Sequence, residues 1–164
     1  MKTGAIIDVS QLYRYLLWRE WDSAALKVGF VMLNPSRADG AIDDPTIRRC
    51  IRFAQSWGYG GLEVANLFAY RTANPSELRQ VIDPVGIEND VYLRSLPHRV
   101  DRVIVAWGNW GSWQGRDQVA LKLFNTSTKL HCLALTKTGQ PKHPLYLRAS
   151  CLPMNFRVAK TLAV

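Results

Sequence analysis

Cysteine is scarce in this chain: three in 164 residues, Cys50, Cys132 and Cys151, an odd number with no CxxC spacing. That argues against a closed disulfide framework and predicts three reduced thiols, two of them in the core. Histidine is equally rare, and none of His98, His131 and His143 stands at zinc-ligand spacing from a cysteine or another histidine, so no structural metal and no cofactor is expected. No apolar run approaches the roughly 18 residues that a membrane helix requires. Residues 1–10 lack the basic region, apolar stretch and small-residue cleavage site of a secretory signal. These absences predict a cytoplasmic protein without membrane contact. Repeats, low-complexity tracts and linkers are missing too, so residues 1–164 read as a single α/β domain.

What the chain does carry is positive charge. Lys and Arg outnumber Asp and Glu by 21 to 13, a formal charge of +8. Such an excess favours an anionic partner, either nucleic acid (DNA ahead of RNA) or a nucleotide, although solubility charge gives the same count.

Apolar runs at Leu12 to Trp18 and Lys27 to Leu33, separated by Trp21-Asp22-Ser23, predict an N-terminal antiparallel hairpin leading into a central strand. The second run stops at Asn34-Pro35, because proline cannot donate to a ladder. Asp44-Pro45-Thr46 supplies an N-cap carboxylate and proline at the first helical position, and Ile47, Cys50, Ile51 and Ala54 follow at helical spacing. A helix from Pro45 to about Trp57 follows from this. Further strands are expected over Glu63 to Phe68, Val103 to Trp107 and Leu130 to Leu135. Further helices are expected around Leu78 to Val81, Ile87 to Leu96, Gln114 to Phe124 and Met154 to Leu162. Buried strands alternating with helices predict a three-layer α/β/α sandwich with a mainly parallel central sheet.

In such sheets ligands bind beyond the carboxyl ends of the strands. Those ends carry Asn34-Pro35-Ser36, Asn66-Leu67-Phe68, Trp107-Gly108-Asn109 and the segment Lys137 to His143-Pro144. Together they offer amides, an imidazole, aromatic faces and cations, with no strong nucleophile. The mixture suits a flat, hydrogen-bonding heterocycle. A different chemistry is open at Asp39, Asp43 and Asp44, whose carboxylates could share a magnesium ion in a phosphohydrolase or nuclease. Asp44 is also well placed as an N-cap, and Asp43 could be a metal ligand, an arginine partner or a general base. Arg48, Arg49 and Arg52 fit a solvated helix face better than a phosphate track. Exposure of Trp110 or Trp113 would point to base stacking.

Tyr13-Arg14-Tyr15, Met32-Leu33-Asn34-Pro35-Ser36, Asp43-Asp44-Pro45-Thr46, Asn66-Leu67-Phe68, Ala106-Trp107-Gly108 and His143-Pro144-Leu145-Tyr146 resemble an uncharacterised bacterial and phage family, domain of unknown function 1643. A remoter resemblance is to the uracil-DNA glycosylase superfamily. Leu33-Asn34-Pro35 is similar to the Asn-Pro loop of its mismatch-specific branch, Val64-Ala65-Asn66-Leu67 to its base-reading strand, and His143-Pro144 to its His-Pro loop. This chain departs from that pattern in having Asn34 where the fast branch has aspartate, no Gly-Gln before it, and Leu145-Tyr146 where Ser-Pro usually follows. The resemblance implies a uracil-DNA-glycosylase-like fold and, at the site, N-glycosidic hydrolysis.

That chemistry extrudes a nucleotide, holds the base by its polar edge and stabilises charge as the base leaves. On the resemblance, Asn34 orients water, Asn66 reads the base edge, and a neutral His143 donates to the departing base, with Asp43 as a further catalytic candidate. Pro35, Ser36, Phe68, Trp107, Leu145 and Tyr146 are the expected substrate contacts, Phe68 by stacking and Leu145 as an apolar wedge. Arg37, Lys137 and Lys142 are the expected phosphate ligands. Each has a plainer reading: Asn34 and Asn66 can bond neighbouring backbone, Phe68 can be core, and His143 can be a loop histidine.

Overall fold

The computed structural model describes residues 1–124 and 127–156. Apolar and β-branched runs form seven strands: β1 (Lys2–Ile7), β2 (Arg14–Glu20), β3 (Lys27–Met32), β4 (Gly61–Asn66), β5 (Arg102–Val105), β6 (Leu130–Cys132) and β7 (Met154–Asn155). They make one sheet in the order β1-β2-β4-β3-β5-β6-β7. The inner four, β4-β3-β5-β6, run parallel, whereas β1–β2, β2–β4 and β6–β7 are antiparallel. With three pairings of each kind the sheet is mixed, not mainly parallel as expected. A buried apolar run reports that both faces are covered and says nothing of strand direction.

The expected hairpin also changes partners. β2 does not pair with β3, because β4 lies between them. The N-terminal hairpin is β1–β2, closed by Asp8, whose carboxylate accepts from the Ser10 hydroxyl and the Tyr13 amide. Half-exposed β1 has too little apolar contrast to be read as a strand.

Helix α1 (Pro45–Ser56) forms as its sequence predicts, with the Asp44 carboxylate accepting from the Ile47 amide and Pro45 at the first turn. Its buried stripe of Ile47, Cys50, Ile51, Phe53 and Ala54 packs on Val28, Phe30 and Met32 of one sheet face. The other face, through Val31, Ala65, Val103 and Val105, takes Leu93 and Leu96 of α2 (Asn89–Arg99) and Ala120 of α3 (Arg116–Leu123). Each such buried aliphatic or aromatic side chain contributes about 1.5–3 kcal/mol. Helix α3 begins at Arg116 and not at Gln114, because Gln114 and Gly115, at φ 55° and 64°, turn left-handed at the end of the short 3₁₀ segment Asn109–Gly115. The helix expected near Leu78 is a 3₁₀ turn, Pro75–Gln80, capped by Asn74. The helix expected from Met154 is a strand at Met154–Asn155, and residues 157–164 lie outside the described part. Cys50 and Cys132 are buried and Cys151 is half-buried, all as free thiols. Among the described residues no helix is long and apolar enough to cross a membrane.

The chain leaves β3 for β4 on one side and returns to β5 on the other. At such a switch the loops leaving the two strands diverge and open a crevice.

Candidate functional site

A cleft of about 530 Å³ occupies this crevice, within the usual range for small-molecule sites. The loop after β3 contributes Leu33, Asn34, Pro35 and Ser36; the end of β4 contributes Asn66; and the segment after β5 contributes Trp107, Gly108, Asn109 and Trp110. His143 and Tyr146 enter from the chain after β6, and Asp44, Thr46 and Ile47 from the start of α1. Arg14 and the turn Thr72–Ser76 complete the wall.

Asn66 is the chemically exposed group in a structurally buried position. Its side chain is 1% accessible, and neither Nδ2 nor Oδ1 has a hydrogen-bond partner. An unpaired buried donor or acceptor costs about 1–3 kcal/mol. The backbone around it is, by contrast, tightly held. Asn89 Nδ2 donates to the Asn66 and Leu67 carbonyls at 2.9 and 3.0 Å, and Arg116 donates to the Leu67 carbonyl through Nε and Nη2. Arg116 is itself fixed by Asp90 at 2.8 Å. The carboxamide of Asn66 is therefore presented from a rigid strand end.

Asn34 is different. Its Nδ2 donates to the Pro35 and Thr72 carbonyls at 3.0 and 2.9 Å, while the Thr72 amide donates to the Pro35 carbonyl. Its donors tie two loops together, leaving Oδ1 as the group with capacity for a ligand or water. His143 accepts the Leu145 amide at Nδ1, so the neutral ring carries its proton on Nε2. Burial lowers the His143 pKa below its ordinary value, against the pull of Asp44, which keeps the ring neutral at pH 7.

Trp107 Nε1 donates to Gln140 Oε1 at 2.8 Å, and the Gly108 amide to the Pro141 carbonyl. These bonds join the β5 end to the segment carrying His143. Gly108 turns the chain there at φ 72°, and Gly111 packs flat on the Trp107 indole, where a Cβ would stand 2.0 Å from Cδ1. Two exposed aromatics line the cleft, Tyr146 at 85% and Trp110 at 37%, the latter with the Arg79 guanidinium 4.6 Å from its ring centroid.

A family model described as a protein of unknown function (DUF1643) matches residues 14–145. The chain belongs to this family. No curated protein and no solved structure matches it. The DUF1643 span begins on Arg14 and takes in every residue lining the cleft except Tyr146.

Several residues expected at the site of this DUF1643 domain stand elsewhere. Phe68 is fully buried and packs on Trp113, with ring centroids 5.2 Å apart, so it is core and not a platform in the cleft. Leu145 is exposed beside the lining. Arg37, Lys137 and Lys142 are exposed and none lines the cleft. Asp43 turns away to accept from Arg19 Nε at 2.8 Å, the arginine partnership among its readings. Asp39 accepts the Ala41 and Ile42 amides, which lower its pKa. Among the described residues no group of three or more His, Cys, Asp and Glu side chains is placed to hold a metal ion. Asp44, read as a helix cap, caps α1 and also lines the cleft, where it is the one carboxylate among the described lining residues. Arg14 stood out only within the family-like motif Tyr13-Arg14-Tyr15, and Asn74-Pro75-Ser76 only as the start of a helix, so neither pattern placed these residues at the cleft.

Proposed function

We propose that the cleft binds a nucleobase presented by nucleic acid and that the protein is an N-glycosidic hydrolase of the uracil-DNA-glycosylase type. The observation that carries this reading is Asn66: a buried carboxamide with a free donor and a free acceptor side by side complements the donor–acceptor edge of a base. Motif order supports it, since Asn34-Pro35 after β3, Asn66 at the end of β4 and His143-Pro144 after β6 come in the same chain order as the resembling motifs of that superfamily. Trp110 supplies an accessible ring on which a base could stack.

In this mechanism the base edge lies on Asn66, and the C–N bond breaks with its electron pair passing to the base. His143 Nε2–H donates to the base as negative charge develops. Water, oriented by Asn34 Oδ1, forms the new bond to the sugar carbon and gives up a proton. A carboxamide is a poor base, so the proton passes to Asp44, the carboxylate of the cleft. The test is to incubate the protein with single- and double-stranded oligonucleotides carrying uracil, mismatched thymine or modified pyrimidines and to score abasic sites by alkaline cleavage. Abasic product that disappears in Asn66→Ala supports the reading; no product beside a working control enzyme removes the hydrolase.

The bonds of Asn34 favour a second reading. Because its Nδ2 is committed to the Thr72 and Pro35 carbonyls, the residue has a structural task independent of water. A non-catalytic base-binding module would keep Asn66 and Trp110 as contacts, and would bind oligonucleotides with steep salt dependence while producing no abasic sites.

A further inference from the structure

Three arginines of the described part are buried: Arg14, Arg19 and Arg116. Arg19 meets five acceptors, and Arg116 makes three hydrogen bonds, one of them to a carboxylate. Arg19 donates to the Asp43 carboxylate and to the carbonyls of Gly4, Trp18, Asp39 and Ile42. Arg116 donates to the Leu67 carbonyl twice and to Asp90. Arg14, only 2% accessible, has one: Nη1 donates to the Ala38 carbonyl at 3.0 Å, and Nε has no acceptor. It is also the one of the three that lines the cleft.

A guanidinium offers five N–H donors in a planar fork and stays cationic at neutral pH. Burial lowers the Arg14 pKa to about 10, against the pull of the Asp44 charge, so the guanidinium stays cationic at neutral pH. Asp44 accepts the Ile47 amide at Oδ1 and the Ala38 amide at Oδ2, and makes no ion pair with Arg14 among the described residues. Burying a charge with its donors unused is unfavourable in the folded protein alone. The arrangement is satisfied by an anion in the cleft. The lysines and arginine expected to meet phosphate, Arg37, Lys137 and Lys142, do not line the cleft.

We propose that Arg14 is the anion-binding residue of the cleft and holds a phosphate oxygen of the nucleotide whose base rests on Asn66. The identity of the ligand as a nucleotide rests on the base-binding reading above; the anion site rests on Arg14 itself. The phosphate can belong to a free nucleotide or to a strand, and Arg14 meets the same oxygens in either.

The experiment titrates inorganic phosphate into the full-length protein at ionic strength held constant with sodium chloride. Binding is read from the side-chain Nε–H resonance of Arg14, assigned by its loss in Arg14→Gln, and from calorimetry. A saturable shift of that resonance, with phosphate affinity lowered at least tenfold in Arg14→Gln and partly restored in Arg14→Lys, is the expected result. An unmoved resonance, or equal affinity in wild type and folded Arg14→Gln, overturns the proposal. If Arg14→Gln does not fold, the Arg14→Lys protein assigns the resonance and the wild-type titration decides alone.

Deoxyuridine monophosphate, deoxyuridine and a uracil-containing oligonucleotide are then compared. Phosphate-bearing ligands should bind at least tenfold more tightly than the nucleoside, and the tighter of the two identifies the source. Asn66→Ala separates the two ideas. If it leaves inorganic phosphate binding intact and removes the advantage of the nucleotide over phosphate, both stand. If it changes neither, the anion site stands and the base reading fails.

Discussion

Asn66 and Asn89 are both buried asparagines within one strand-end network, yet removing their side-chain polarity should have opposite effects on stability. Asn66→Leu relieves unpaired buried groups and is expected to raise the unfolding free energy by about 1–2 kcal/mol while abolishing ligand binding. Asn89→Leu strips a donor from the Asn66 and Leu67 carbonyls and should lower it by about 1–3 kcal/mol. Urea denaturation of both variants measures the contrast. At Asp44 the informative change is Asp44→Asn, since asparagine caps a helix as well as aspartate does. The amide must, however, face the Ala38 N–H with one of its two ends. Loss of abasic product at a stability within about 2 kcal/mol of wild type is the expected outcome, measured by cleavage assay and melting. This scale also marks where sequence stopped being informative. The meeting of Asn34, Asn66 and His143 in one cleft was legible because the first two stand at the ends of apolar strand runs and the third in the polar segment after the last such run. Asp44 was legible as the cap of α1, and an arginine partnership was among the readings of Asp43, but only the fold identifies Arg19 as that partner.

Among the elements, α1 was fully legible: its cap, its proline and its apolar spacing all agree locally, and the sheet merely receives the stripe they define. β1 and β7 were not, since exposed edge strands carry little pattern. The β2 pairing was misread because a short polar turn between two apolar runs marks a reversal of the chain without fixing which strand becomes the neighbour. The element to perturb is the turn after β5. In Gly111→Ala the new methyl meets the Trp107 ring, so the indole must shift and its bond to Gln140 weakens. The expected cost is about 1–3 kcal/mol. Binding of a uracil-containing oligonucleotide should weaken in parallel, because Trp107 ties the β5 end to the segment bearing His143; calorimetry and anisotropy measure the two.

For the whole molecule, charge and protonation set the working conditions. Burial lowers the pKa of both His131 and His143 from 6.5, so the unfolded chain takes up protons before the folded one does. Stability is therefore expected to be full above about pH 6.5 and to fall as the pH drops below it, levelling once both rings are charged in the folded state. Melting temperatures between pH 5 and 8 test this, and His143→Asn should flatten part of the slope. The charge of +8 was read directly from composition, but composition could not reveal that the buried cation of the cleft is an arginine in β2.

The insertion of β4 between β2 and β3 has a consequence for synthesis on the ribosome. β1 and β2 can close as a local hairpin once they emerge, but β3 must wait for β4 on one edge and β5 on the other. Until then the apolar core strand of the nascent chain has both edges unpaired, and the last wall of the cleft, at His143 and Tyr146, arrives only after β6. Ligand binding and completion of the sheet thus wait on the same segment, and a chain stalled before residue 143 would have a scaffold without a site.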